Sequence, residues 1–149
     1  MDLSVDWAVL REASLAAAHQ AYAPYSGFAV GCAALVDDGR VISGCNVENA
    51  SYGVTLCAEC AMIGQLHLGG GGKLVAFDCV GVPRKEGDAE TGADTERSAD
   101  PAAHTITPCG RCRQLLFEAA APGLLLNTPD GVRTIEDLLP QAFGPAAMA

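Results

Sequence analysis

Residues 55–64 read T-L-C-A-E-C-A-M-I-G, and the fold turns on what kind of segment this is. Cys57 and Cys60 form a C-x-x-C, and Cys109 and Cys112 form a second one in P-C-G-R-C-R-Q. Two such pairs commonly close a structural zinc cage of four thiolates. Structural knuckles sit on tight, polar, glycine-rich turns. Here the chain runs on as C-A-E-C-A-M-I-G-Q-L-H-L, with Ala58, Ala61, Met62 and Leu66 at helical spacing. The stretch therefore opens a helix, starting near Leu56, in a domain that has a core of its own.

The surroundings of this helix give the rest of the architecture. Upstream, residues 5–20 are rich in helix formers, and Trp7, Leu10, Ser14 and Ala18 fall near one face, with Val9, Ala13 and Ala16 beside it. A-Y-A-P-Y-S-G breaks that helix. Two apolar runs follow, F-A-V-G-C-A-A-L-V and R-V-I-S-G-C-N, joined by the turn signal Asp38-Gly39. Downstream, glycines 69–72 end the helix, and K-L-V-A-F-D-C-V-G-V reads as a central strand, apolar on both faces. C-R-Q-L-L-F-E-A-A-A is a third helix and L-L-L-N-T a fourth strand. After the Pro129-Asp130-Gly131 turn come a short fifth strand, V-R-T, and a short final helix, I-E-D-L-L-P. A helix between the third and fourth strands makes them parallel. The expected fold is α/β: a three-layer α/β/α sandwich around a mixed five-stranded sheet.

The composition narrows the function. A chain of 149 residues, half of them hydrophobic, makes one domain over 1–149. Residues 83–104 interrupt it with six acids, three bases and no apolar period, which reads as a mobile polar insertion. The formal net charge of -9 disfavours a phosphate backbone, so no nucleic-acid partner is expected. There is no apolar run long enough to span a membrane and no signal-peptide pattern at the N-terminus, so the expected location is the cytoplasm. Seven cysteines in such a chain point to metal or redox chemistry rather than disulfides.

A working zinc needs three protein ligands and an open position. Cys57, at the start of the second helix, and Cys109 and Cys112, at the start of the third, supply three thiolates. The helix N-termini favour the ionised sulfurs. Spacing i, i+3 puts Cys109 and Cys112 on one helical face. Glu59, two residues past Cys57, falls where a proton shuttle is needed. The alternative is a closed four-thiolate site that includes Cys60.

Cys57-Ala58-Glu59 with Pro108-Cys109-Gly110-Arg111-Cys112 is the pattern of the zinc deaminases, in which the Glu is not a ligand. The chain resembles the small, homotetrameric cytidine deaminases. Y-A-P-Y-S-G-F-A-V-G, N-V-E-N-A-S-Y-G, C-A-E, P-C-G-R-C-R-Q and L-L-P-Q-A-F match that family in order across nearly the whole chain apart from 83–104. The resemblance implies one Zn2+ per chain on Cys57, Cys109 and Cys112. It implies catalysis by Glu59 and hydrolysis of cytidine, or deoxycytidine, to uridine and ammonia in pyrimidine salvage. It also implies a nucleoside as the small-molecule partner. Phe28 would pack on the pyrimidine, Asn46 and Glu48 would bond the ribose, and the Ala58 N–H would meet the base carbonyl. Tyr52 and Phe143 would approach a neighbouring subunit's site in a homotetramer.

One residue departs from the family, which commonly has C-A-E-R where this chain has Cys60. Three thiolates and Zn2+ sum to -1, a charge that an arginine at the sulfurs would offset. Arg111 and Arg113 are the candidate replacements. Cys60 itself reads as a small buried residue, and Cys32, Cys45 and Cys79 as core. The rival readings are a blasticidin S-type deaminase and a non-catalytic zinc-stabilised domain.

Overall fold

The computed structural model describes residues 4–84 and 100–149. Its elements are α1 (Trp7–His19), β1 (Phe28–Val36), β2 (Val41–Cys45), α2 (Ala58–Leu68), β3 (Leu74–Pro83), β4 (His104–Thr105), α3 (Gly110–Ala119), β5 (Ala120–Thr128), β6 (Gly131–Thr134) and α4 (Ile135–Leu138). The sheet runs β2-β1-β3-β5-β6, and β4 pairs with β3 off that path. The five expected strands are all present, and the two-residue β4 is a sixth. The β3–β5 pair is parallel and the others are antiparallel, so the sheet is mixed.

Alternation along β1 shows why helices cover both faces. Cys32, Ala34 and Val36 join a core cluster with Ala58, Met62 and Leu66 of α2, Leu116 of α3 and Ile135 of α4. Ala29 packs with Leu15 and Ala18 of α1, and Ala33 with Leu10. A side chain points to opposite faces at successive positions, so the sheet separates α1 from the other three helices. β3 splits in the same way, Phe77 and Cys79 to one side and Ala76, Val80 and Val82 to the other. That double burial makes its sequence almost continuously apolar.

Two glycines set how closely the helices approach. A Cβ on Gly31 would collide with the backbone of Ser14 and Ala18 in α1. A Cβ on Gly44 would collide with the Ala58 carbonyl and the Met62 backbone in α2. Gly31 pairs with Cys45, so Gly31 and Gly44 face opposite ways, each letting one helix touch the sheet backbone. The first turn of α2 is therefore seated by β2.

Three local readings shift. The buried face of α1 is Leu10, Ser14, Leu15 and Ala18, while Val9 is exposed, because the Ser14–Ala18 side of the helix is the one seated on Gly31 of β1. α3 stops at Ala119, and residues 120–121, expected as helix, already belong to β5, where Ala120 pairs with Leu74 of β3. Of the polar segment 83–104, Pro83 ends β3 and His104 begins β4, opposite Gly81. Arg84 donates to the carbonyls of Ala18 and His19 at 3.2 and 3.3 Å, and His19 lies 3.7 Å from Asp100. Both described ends of the segment are thus tied to the fold, and the expected mobility of residues 85–99 lies outside the described residues.

Asp78 stands out in the apolar run of β3. It is fully buried on the α1 side, where its Oδ1 accepts from Arg11 at 3.1 Å and from Asn127 at 2.9 Å. Ser14 donates to its carbonyl at 3.1 Å, and Arg11 also bonds Thr105. The cluster joins α1, β3, β4 and β5 through one carboxylate.

Candidate metal centre and substrate cleft

Cys57 is the N-cap of α2 and Cys109 the N-cap of α3, with Cys112 one turn further. The helix starts converge, and the three sulfurs all lie within 4.8 Å of one another. A tetrahedral zinc with Zn–S bonds of about 2.3 Å sets its sulfurs roughly 3.8 Å apart, so a small contraction completes the site. Cys57 does not use its side chain to cap α2.

The electrostatics of the cluster call for a cation. Burial pushes the Cys57 thiol up, and the nearby Glu59 carboxylate adds to the shift. Burial pushes the Cys112 thiol up further, with Glu59 and Cys57 reinforcing it. Cys109 moves the other way, because the Cys112 N–H donates to its sulfur. Three sulfurs and a carboxylate repel one another here, and a bound cation reverses that repulsion. Three soft sulfur donors gathered this closely fit zinc.

Glu59 is only 4 % exposed, which is unusual for a carboxylate. It sits in the first turn of α2, where the helix dipole favours its charge. The Cys79 thiol on β3 approaches its Oε1 at 3.9 Å, and Cys112 hydrogen-bonds to it as well. The carboxylate therefore points at the sulfur cluster. Ala58 is fully buried at the first position of α2, where a helix leaves its N–H without an intrahelical acceptor.

Asn46 and Glu48 are held by backbone. Asn46 accepts from the Val30 N–H at 2.8 Å and donates to the Phe28 carbonyl at 3.0 Å, bracing the start of β1. Glu48 accepts from the N–H groups of Tyr25 and Ser26, each at 3.0 Å. Partial burial works against its charge, but hydrogen bonds from Ser26 and Tyr25 outweigh that and hold the carboxyl below its ordinary value. Glu48 lines an open cleft of about 380 Å³ with Tyr25, Ser26, Asn49, Tyr52 and Thr55.

The aromatic residues divide. Phe28 begins β1 and lies over Gly81, where any Cβ would meet its ring. Its other neighbour is His104, with centroids 5.9 Å apart. Tyr52 is 78 % exposed and meets Tyr25 edge-on at 6.3 Å. Phe143 is 62 % exposed, its carbonyl held by Gln114 of α3 at 2.8 Å. The cleft takes in Tyr52 and Glu48, whereas Phe28, Glu59, Phe143 and the thiols lie outside its lining.

Cys60, expected to be simply buried, is half-buried one turn into α2, and Cys45 is also only partly covered. Cys32 and Cys79 are buried as expected, and both thiols are pushed well up by burial. Sequence reasoning missed the approach of Cys79 to Glu59, the Tyr25–Ser26 turn that holds Glu48, and His104 beside Phe28. The second was within reach, since N-V-E-N and Y-A-P-Y-S-G are unusual enough to belong to one site. Nothing in the sequence places His104 against Phe28.

The family described as "Cytidine and deoxycytidylate deaminase zinc-binding region" matches residues 5–127. The cytidine deaminase of Mycobacterium tuberculosis is 51 % identical over 140 residues, covering 94 % of this chain and 91 % of that protein. That of Halalkalibacterium halodurans is 37 % identical over 144 residues, covering 93 % and 95 %. The crystal structure of the Mycobacterium tuberculosis cytidine deaminase superposes with a TM-score of 0.77 at 50 % identity, covering 95 % of this chain and 99 % of that one. Among the described residues no helix is long and apolar enough to cross a membrane.

Proposed function

The chain belongs to the cytidine and deoxycytidylate deaminase family, and from that premise we propose that it hydrolyses cytidine to uridine and ammonia. The observation that carries this reading is the buried Glu59 carboxylate aimed at three thiols that lie within 4.8 Å of one another. Cys57, Cys109 and Cys112 would hold one zinc. Bound there, zinc supplies a Lewis acid that makes water nucleophilic at neutral pH.

The chain's own groups do the rest. Glu59 takes the proton from the attacking water. It returns protons to N3 and then to the departing amino group, so one carboxylate serves as base and acid in turn. Its burial keeps bulk water from competing for those transfers. The Ala58 N–H fixes the base carbonyl, and the Phe28 ring packs on the pyrimidine. Asn46 and Glu48 bond the ribose hydroxyls, and their backbone anchors keep them oriented before substrate arrives.

Deoxycytidine is a second substrate, and the place of the reaction is pyrimidine salvage in the cytoplasm. Tyr52 and Phe143 complete a neighbouring subunit's site in a homotetramer, a role that fits two aromatics left so exposed. The test is ammonia release from cytidine, deoxycytidine and blasticidin S, with zinc counted per chain. Turnover of the nucleosides with one zinc per chain is expected. A zinc-replete chain silent on cytidine would overturn the reading.

A further inference from the structure

Gly81 opens a gap in the sheet face that carries the proposed site. Phe77 and Cys79 of β3 point to the side of α2 and α3, so Gly81, two residues on, falls on that side as well. Its partners across the sheet are Val30 on β1 and His104 on β4. Val30 and Ile106 pack on the same core cluster, and alternation puts Phe28 and His104 on that face with them. The Phe28 ring lies over Gly81 and meets the His104 ring, with centroids 5.9 Å apart and planes tilted by 50°. Cys79, whose thiol approaches the Glu59 carboxylate, is two residues back along β3, or about 7 Å. The ring pair therefore borders the proposed reaction centre.

His104 is held more firmly than a two-residue strand suggests. The Ile106 N–H donates to the Cys79 carbonyl at 3.1 Å, which continues the pairing with β3 past Thr105. On the opposite face, Arg11 bonds both Thr105 and the buried Asp78. The His104 Nδ1 lies 3.3 Å from the Ala102 carbonyl. Phe28, by contrast, is the first residue of β1 and only partly buried. We propose that His104 is a positioning residue for the substrate base, acting through Phe28: its ring backs the Phe28 ring and holds it at the angle at which it packs on the pyrimidine. The inference rests on the role given to Phe28 above. An aromatic pair of this kind corresponds to about a two- to tenfold effect beyond its burial. The effect falls on binding, because neither ring takes part in the bond changes.

The experiment compares wild type, His104→Val, His104→Phe, Phe28→Leu and the double variant Phe28→Leu/His104→Val in steady-state turnover of cytidine, with Tm measured on each. Valine is β-branched and suits a strand, so it removes the ring while keeping β4. His104→Val should raise KM about two- to tenfold, with kcat and Tm little changed, and His104→Phe should restore KM. In the Phe28→Leu background the valine should add nothing, because residues in contact do not act additively. An unchanged KM in His104→Val overturns the proposal while leaving the role of Phe28 intact. So does a rise in KM that persists in full in the Phe28→Leu background, or one that phenylalanine does not reverse and that comes with a fall in Tm, which would assign His104 to the folding of β4. An unchanged KM in Phe28→Leu fails the role of Phe28 itself, and wild type without turnover of cytidine fails the proposed function; either overturns the inference as well.

Discussion

Glu59 shows how one side chain can be read at several levels. Its place two residues past a helix-capping cysteine was visible in the sequence, and its burial and its contact with Cys79 were not. Glu59→Gln keeps the shape and removes the proton carrier. It should retain one zinc per chain and lose about 10²–10⁴-fold in kcat, measured as uridine formed alongside metal analysis. Gly81 tests the opposite kind of role. A methyl there meets the Phe28 ring, so, if the ring packs on the pyrimidine as proposed, Gly81→Ala should raise KM for cytidine more than it lowers kcat. Glu48 links residue to pH. Its folded-state pKa lies below the ordinary 4.5, so its charge stabilises the fold above that value, and the gain fades as pH falls through the lowered one. The Tm difference between wild type and Glu48→Gln should therefore be present at neutral pH and shrink in acid below about 4.5.

The proposed site is built on the first turns of α2 and α3, and that of α2 is placed by something outside itself. For α2 it is Gly44 on β2. Gly44→Ala would wedge the helix start away from the sheet, costing about 1–3 kcal/mol and weakening zinc retention together with thermal stability. A Tm loss with zinc binding intact would separate the seat of the helix from the metal site. On the far face, Arg11→Ala would strand the buried Asp78. Arg11 is itself 29 % exposed, so the loss should fall near the lower end for such a pair, about 3 kcal/mol in urea unfolding, with kcat little changed. Helix starts, hairpin and turn chemistry were legible because each obeys a local rule. The exceptions are instructive. Residues 120–121 look helical alone, but pairing of Ala120 with Leu74 pulls them into β5. Asp78 looks like an error in a central strand until Arg11 and Asn127 are brought to it from distant positions.

For the molecule as a whole, the core clusters are built from apolar side chains and include none of the three clustered thiols. Apolar clusters fill both faces of the sheet, and the three thiols sit at the edge of that packing, two of them only partly covered or exposed. Prolonged chelation should therefore abolish deamination while far-UV circular dichroism keeps its native form, with a lowered Tm. Collapse of the spectrum would mean a structural zinc after all. The layer order and the grouping of Cys57, Cys109 and Cys112 were readable from the sequence because period and spacing are local. Which aromatic meets which polar side chain was not, since Phe28 and His104 are joined only by the strand register that sets β4 against β3. That same register has a practical consequence for protein engineering. Arg84 is fastened to the end of α1, and His104 is zipped opposite Gly81, so the two borders of the intervening stretch are fixed independently of its length. A segment spanning two fixed ends loses only about 0.6 kcal/mol for each doubling of its residues. The interval between Arg84 and Asp100 is thus a natural docking port, where an affinity tag or a reporter domain can be spliced without re-registering a strand.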